Sequence, residues 1–166
     1  MNDEELTPVG ETVTRLVLTT FRANGALLDA GDRLTADQGL TSALWQVLGA
    51  AALAERPLTV AQIARRMGLS RQSVHGSVRR LTARGLCELA PNENHRRSPL
   101  VQLTEAGRAA YTAVDRKQVK WVNRLGAGMS NADLETAARV LEALCQRLEQ
   151  EDATNDNGAE SADPAA

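Results

Sequence analysis

Two short helices in close succession, joined by a Gly-Leu-Ser turn, are encoded between Thr59 and Ala83, and few folds accept that pattern. Thr59-Val60-Ala61-Gln62 is a capping box, in which the hydroxyl takes the third helical amide and the glutamine reaches back to the threonine amide. The helix that follows runs to Met67 and closes on Gly68, a residue suited to the left-handed conformation after a helix end. Ser70 then caps a second helix, which carries Val74, Val78 and Leu81 and ends at Gly85. Two short helices with a glycine-containing turn form a helix-turn-helix when the second presents a polar, basic face.

The second helix passes that test. Stepping 100° per residue from Val74 places Val78 and Leu81 within about 40° of it, which defines a buried stripe. Gln72, Gly76 and Arg79 fall on the opposite side, flanked by Ser73, His75 and Arg80. An amide, a hydroxyl, an imidazole and guanidinium groups can read donor and acceptor patterns on base edges in the major groove. The N-terminal half of such a helix enters the groove. Ser70, Arg71, Gln72, Ser73 and His75 are therefore the base-reading candidates, and Arg79, Arg80 and Arg84 suit phosphates. Gly76 costs helix stability relative to alanine. Either that cost is simply tolerated, or the helix backbone comes close to DNA at this point.

Beyond Gly85 the hydrophobic period changes. Leu86-Cys87-Glu88-Leu89 and Leu100-Val101-Gln102-Leu103 read as two strands, joined by the turn-forming segment from Pro91 to Pro99. Arg96 and Arg97 sit at its tip, where a projecting arginine suits the negative potential of a narrow minor groove. Directly behind a helix-turn-helix, such a hairpin reads as a wing.

Charge follows the same division. Residues 1–55 hold three arginines against eight acids, residues 56–108 ten arginines against three acids, and residues 109–166 six Lys/Arg against ten acids. A basic middle between acidic flanks is expected of a nucleic-acid-binding segment. The flanks read as helices. Val13, Leu16, Val17, Phe21, Leu27 and Leu28 mark a first helix from Glu11 to about Ala30, stopped by Gly31-Asp32, with a loop over Leu34–Leu40. Thr41 caps a second helix bearing Leu44, Trp45, Val47 and Leu48, ended by Glu55-Arg56-Pro57. Thr104 caps a fifth helix to about Leu125. Ser130-Asn131-Ala132-Asp133 opens a sixth, with Leu134, Ala138, Leu141, Leu144 and Leu148. Residues 151–166 are polar and acidic and are expected to be disordered.

The segments GLTSALWQVL (39–48), PLTVAQIARRMGLSRQSVHGSVRRLTARGLCEL (57–89) and LVQLTEAG (100–107) resemble the MarR family of winged-helix transcription regulators. The likeness runs from about Thr41 to Leu148. It implies a mainly α-helical winged helix-turn-helix protein with six helices and a two-stranded β wing, and an obligate homodimer. Residues 1–40 would form the lead-in and first dimerisation helix, 41–104 the DNA-binding lobe, and 105–150 the C-terminal dimerisation helices. Arg97 matches the family's minor-groove arginine and Arg96 its neighbour. Asn92 and His95 stand where family wings carry aspartates that brace the loop, so the bracing salt bridge is not expected here and the free wing is expected to be more mobile.

The same resemblance implies a repressor released from a near-palindromic operator by a small, often aromatic, ligand held between the dimer helices and the DNA lobe. Phe21 and Trp45 are the expected pocket wall, although core packing alone would also account for each. Tyr111 and Trp121 are expected to pack or to sit at a dimer interface. A cysteine-oxidation switch is an alternative, but Cys87 and Cys145 read as small buried hydrophobes. The two cysteines form no CxxC, His75 and His95 lack a third ligand, and no metal or cofactor is expected. No phosphate loop, GxSxG or HExxH motif suggests an enzyme. The longest apolar run, Val47 to Ala54, is too short to span a bilayer, and MNDEEL lacks a signal segment. The expected partners are double-stranded DNA, a second copy and an effector, in the cytoplasm with reduced thiols. A winged-helix module for protein partners is the other alternative, but the polar face around Gln72, Ser73 and Arg79 lacks apolar anchors.

Overall fold

The structure, a computed structural model, describes residues 5–160. It contains α1 (Pro8–Thr35), a 3-10 turn (Ala36–Gln38), α2 (Ser42–Ala52), β1 (Leu58–Thr59), α3 (Val60–Met67) and α4 (Arg71–Ala83). These are followed by β2 (Cys87–Ala90), β3 (Leu100–Leu103), α5 (Glu105–Leu125) and α6 (Asn131–Glu160). The chain divides into two compact units, one ending at Trp121 and one beginning at Val122. No helix among the described residues is long and apolar enough to cross a membrane.

The first unit is built around one core. Leu44, Val47 and Leu48 of α2, Ile63 of α3, and Val74, Val78 and Leu81 of α4 are buried together. They pack with Cys87, Val101, Leu103 and Val114. Each such side chain removed from water contributes about 1.5–3 kcal/mol. The caps read from the sequence are present: Thr59 accepts from the Gln62 amide at 3.3 Å while Gln62 accepts from the Thr59 amide at 2.8 Å. Ser70 accepts from the Ser73 amide at 3.1 Å, and Gly68 takes φ 61°.

The wing sheet has three strands rather than the expected two, in the order β1-β3-β2, all antiparallel. Leu58 pairs with Val101 and Thr59 with Leu100, while Cys87 to Ala90 pair with Leu103 to Leu100. A strand of two residues is too short to show a period of two in sequence, and the proline before it hides it further. Val101 and Leu103 alternate inward on β3 and anchor the wing to the core.

Two other expectations are corrected. Helix α1 does not stop at Gly31-Asp32 but continues to Thr35. Gly31 lies where α1 crosses α2, and a Cβ there would come within 2.5 Å of the Ser42 hydroxyl. Asp32 accepts from the Ser42 amide at 2.6 Å, and so caps the next helix instead of breaking its own. The expected disorder from Glu151 is also absent as far as Glu160, because α6 continues through it. Extending an established helix needs no new nucleus, and each added residue gains one backbone hydrogen bond. Residues 161–166 lie outside the described residues.

Candidate nucleic-acid interface

The packing of α4 fixes which of its side chains face outward. Val74, Ser77, Val78 and Leu81 are buried, while Arg71, Gln72, Ser73, His75, Arg79 and Arg80 are exposed. Gly76 is half-buried, and a Cβ on it would meet nothing within 4 Å, so no contact inside the protein demands a glycine there. Ser70 is exposed, but its oxygen is engaged by the helix cap, which leaves its hydroxyl proton for a further acceptor.

A groove of about 670 Å³ runs between α4 and the wing. Arg71, His75 and Arg79 line one side and Arg97 and Ser98 the other, with Val60 and Leu89 among the apolar residues lining it. The structure thus brings the wing arginine and the recognition-helix cations to one concave surface. Arg96 is exposed beside Arg97 without lining the groove. Among the described residues, none of Arg71, Arg79, Arg80, Arg96 or Arg97 has a side-chain hydrogen bond or ion pair within the protein.

Arg84 differs. Its Nη1 donates to the Gly39 carbonyl at 2.6 Å and its Nη2 to the Gln38 carbonyl at 2.8 Å. The guanidinium is committed within the protein, contrary to the expectation that it would face phosphate. The acceptors lie 45 and 46 residues earlier in the chain, a separation that local sequence reading cannot bridge.

The wing is braced without a carboxylate. Asn92 is only 8% exposed; its Nδ2 donates to the Ser98 carbonyl at 2.8 Å and its Oδ1 accepts from the Asn94 amide at 3.1 Å. The His95 amide returns to the Asn92 carbonyl and the Ser98 amide to the His95 carbonyl. Both sides of the tip that presents Arg96 and Arg97 are therefore tied together. An amide can do this where an aspartate could only accept.

Of the two residues expected in a ligand wall, Trp45 lines a cavity and Phe21 does not. Trp45 lines a cavity of about 230 Å³ with Leu53, Arg66, Met67, Tyr111 and Gln118. Phe21 does not reach it and stands 69% exposed on α1. The Tyr111 hydroxyl donates to Asp115 at 3.4 Å, and burial together with that carboxylate holds its proton above the ordinary tyrosine range. Cys87 is buried, and burial pushes its thiol up to about 11, so the reactive thiolate is scarce at neutral pH. Cys145, expected to be buried, is exposed on α6.

A helix-turn-helix followed by a hairpin wing, with cations on both, defines the winged-helix class of transcription regulators. The family model of the MarR family matches residues 38–98. An uncharacterized protein of Mycobacterium tuberculosis is 36% identical over 143 residues, which is 86% of this chain and 99% of that one. The transcriptional activatory protein BadR of Rhodopseudomonas palustris is 30% identical over 115 residues, covering 66% and 64% of the two chains. Among solved structures, AbsC, a MarR family regulator from Streptomyces coelicolor, superposes with TM-score 0.74 at 20% identity, over 89% of this chain and 99% of that one. CouR from Rhodococcus jostii RHA1, solved with p-coumaroyl-CoA bound, gives 0.68 at 22% identity over 86% and 95%. The chain belongs to the MarR family of transcription regulators.

Proposed function

We propose that this chain acts as a homodimeric repressor that reads a near-palindromic operator and is released by a small aromatic ligand. The observation that carries the reading is the row Arg71, His75 and Arg79 of α4 facing Arg97 across one groove, with Gln72 and Ser73 exposed on the same helix. In this reading Arg71, Gln72, Ser73 and His75 address base edges, with the Ser70 hydroxyl at the groove entrance. Arg79 and Arg80 hold phosphates, Arg97 enters the minor groove beside Arg96, and Gly76 lets the helix backbone approach the duplex. Arg84 is left out of this set because its donors are already used.

The second copy is supported by apolar surface that one chain leaves uncovered. Val13, Val17 and Leu28 recur on α1, as do Leu134, Leu141 and Leu148 on α6, all exposed. Residues 1–40 and 105–150 would supply the dimer helices and 41–104 the DNA lobe, in the cytoplasm where DNA is present. The ligand reading rests on the Trp45 and Tyr111 cavity. Its size falls below the ~300–1,000 Å³ usual for ligand pockets, which suits one substituted ring better than a bulky thioester.

Selection of duplexes from a randomised pool, followed by gel shift at two salt concentrations, tests the reading. Gln72→Ala should relax base preference at one position in each half-site, by about 1–3 kcal/mol of discrimination. Arg97→Ala should weaken all duplexes alike and flatten the log affinity against log salt slope by about one. Unchanged selectivity and slope in both variants would remove α4 and the wing from the interface. Because BadR is an activatory protein, a reporter with the selected site placed across or upstream of a promoter decides the direction of control.

A further inference from the structure

We infer that Arg84 is a positioning residue that fixes the tilt of α4 by anchoring its C-terminal end to the elbow between α1 and α2. The inference rests on the reading of α4 as the DNA-reading helix. The elbow is the 3-10 turn Ala36–Gln38, closed by Gly39 at φ 61°. Carbonyls at the end of a helical stretch lack partners inside it and carry the negative end of its dipole. Arg84 supplies two donors to two such carbonyls, those of Gln38 and Gly39. A planar fork can span both acceptors at once, which an ammonium cannot do in the same way.

The elbow is built to receive it. A Cβ on Gly39 would lie 3.2 Å from Arg84 Nη2, and the positive φ already disfavours any other residue. On another side Lys117 of α5 pairs with Asp37 and holds that carboxyl below its ordinary range. Thr35, fully buried, places its hydroxyl 2.8 Å from the Leu40 carbonyl. The elbow itself belongs to none of the helices, yet α1, α2, α4 and α5 are all tied to it. A change in the angle of α1 is therefore passed through two hydrogen bonds to the end of α4, whose opposite end carries Gln72 and Ser73.

The test compares wild type, Arg84→Met and Arg84→Lys by duplex affinity across a salt series and by amide hydrogen exchange in the free protein. Arg84→Met should bind the selected duplex about tenfold more weakly with an unchanged salt slope, since no phosphate contact is lost. Exchange should quicken together over residues 36–41 and 81–85. Arg84→Lys should fall between, and it carries the test if Arg84→Met fails to fold. A slope reduced by about one with unchanged exchange would make Arg84 a phosphate ligand and overturn the inference. Unchanged affinity with unchanged exchange would overturn it as well. If wild type holds no duplex from the pool, the DNA reading fails and the inference falls with it; the exchange data then report whether the anchor itself exists.

Discussion

Helices α4 and α6 treat their apolar residues in opposite ways. In α4, Val74, Val78 and Leu81 are buried beneath α2 and α3, and the polar side is left to solvent. In α6, Leu134, Leu141 and Leu148 lie seven residues apart on one side, and all are exposed, Leu148 by 60%. The same sequence logic, an apolar residue every turn or two, has been satisfied within the chain in one case and not in the other. A stripe of this length is costly in water, and in the proposed homodimer a second copy would cover it. Cys145 lies beside Leu141 and Leu148 on that stripe and is exposed with them.

Three variants would break or sharpen the contrast. The largest effect belongs to the satisfied stripe. Leu81→Ala should cost the first unit about 2–5 kcal/mol in urea unfolding, because Leu81 is fully buried and its surroundings relax only partially around the cavity left behind. A loss under 1 kcal/mol would show that α4 is held by its caps and by Arg84 rather than by its core face. Next, Leu141→Glu should leave the lobe's fold unchanged by circular dichroism but weaken self-association by at least about 2 kcal/mol in sedimentation, as expected at the centre of an apolar interface. Wild type and variant sedimenting alike, both as single chains, would mean that the α6 stripe has another purpose. The smallest effect is at the wing. Asn92→Ala removes two hydrogen bonds of about 1 kcal/mol each and should raise hydrogen exchange over residues 92–98 while leaving the core untouched. Unaltered exchange there would show the tip to be held by its backbone turns alone.

What could be read from the sequence, and what could not, separates along the range of the forces involved. Caps at Thr59, Ser70 and Thr104 are local, and each was legible because a side chain answers an amide three residues away. The buried stripe of α4 was legible for the same reason. Gly31 was misread because its role is set by Ser42 across a helix crossing, where a small residue permits contact instead of ending a helix. Strand β1 escaped because pairing with β3, and not any preference of Leu58 or Thr59, makes it a strand. Arg84 looked like its neighbours Arg79 and Arg80, since nothing nearby in sequence reveals two carbonyls from the far side of α2. Phe21 was expected in a pocket wall from the family resemblance, which does not fix what lies opposite this residue of α1. Asn92 was marked as a departure from the family's acidic wing, but its double hydrogen bond could only be seen once the loop was closed.

Thr59 belongs to two structures at once: its backbone pairs with Leu100 in the sheet, and its side chain caps α3. The hairpin and the first helix of the reading motif are thus stitched through a single residue. Prying the hairpin outward would mean unzipping a sheet rung or fraying that helix's first turn. The hairpin and the helix-turn-helix are therefore braced against each other, so that in the proposed DNA complex bending would fall to the nucleic acid rather than to the lobe.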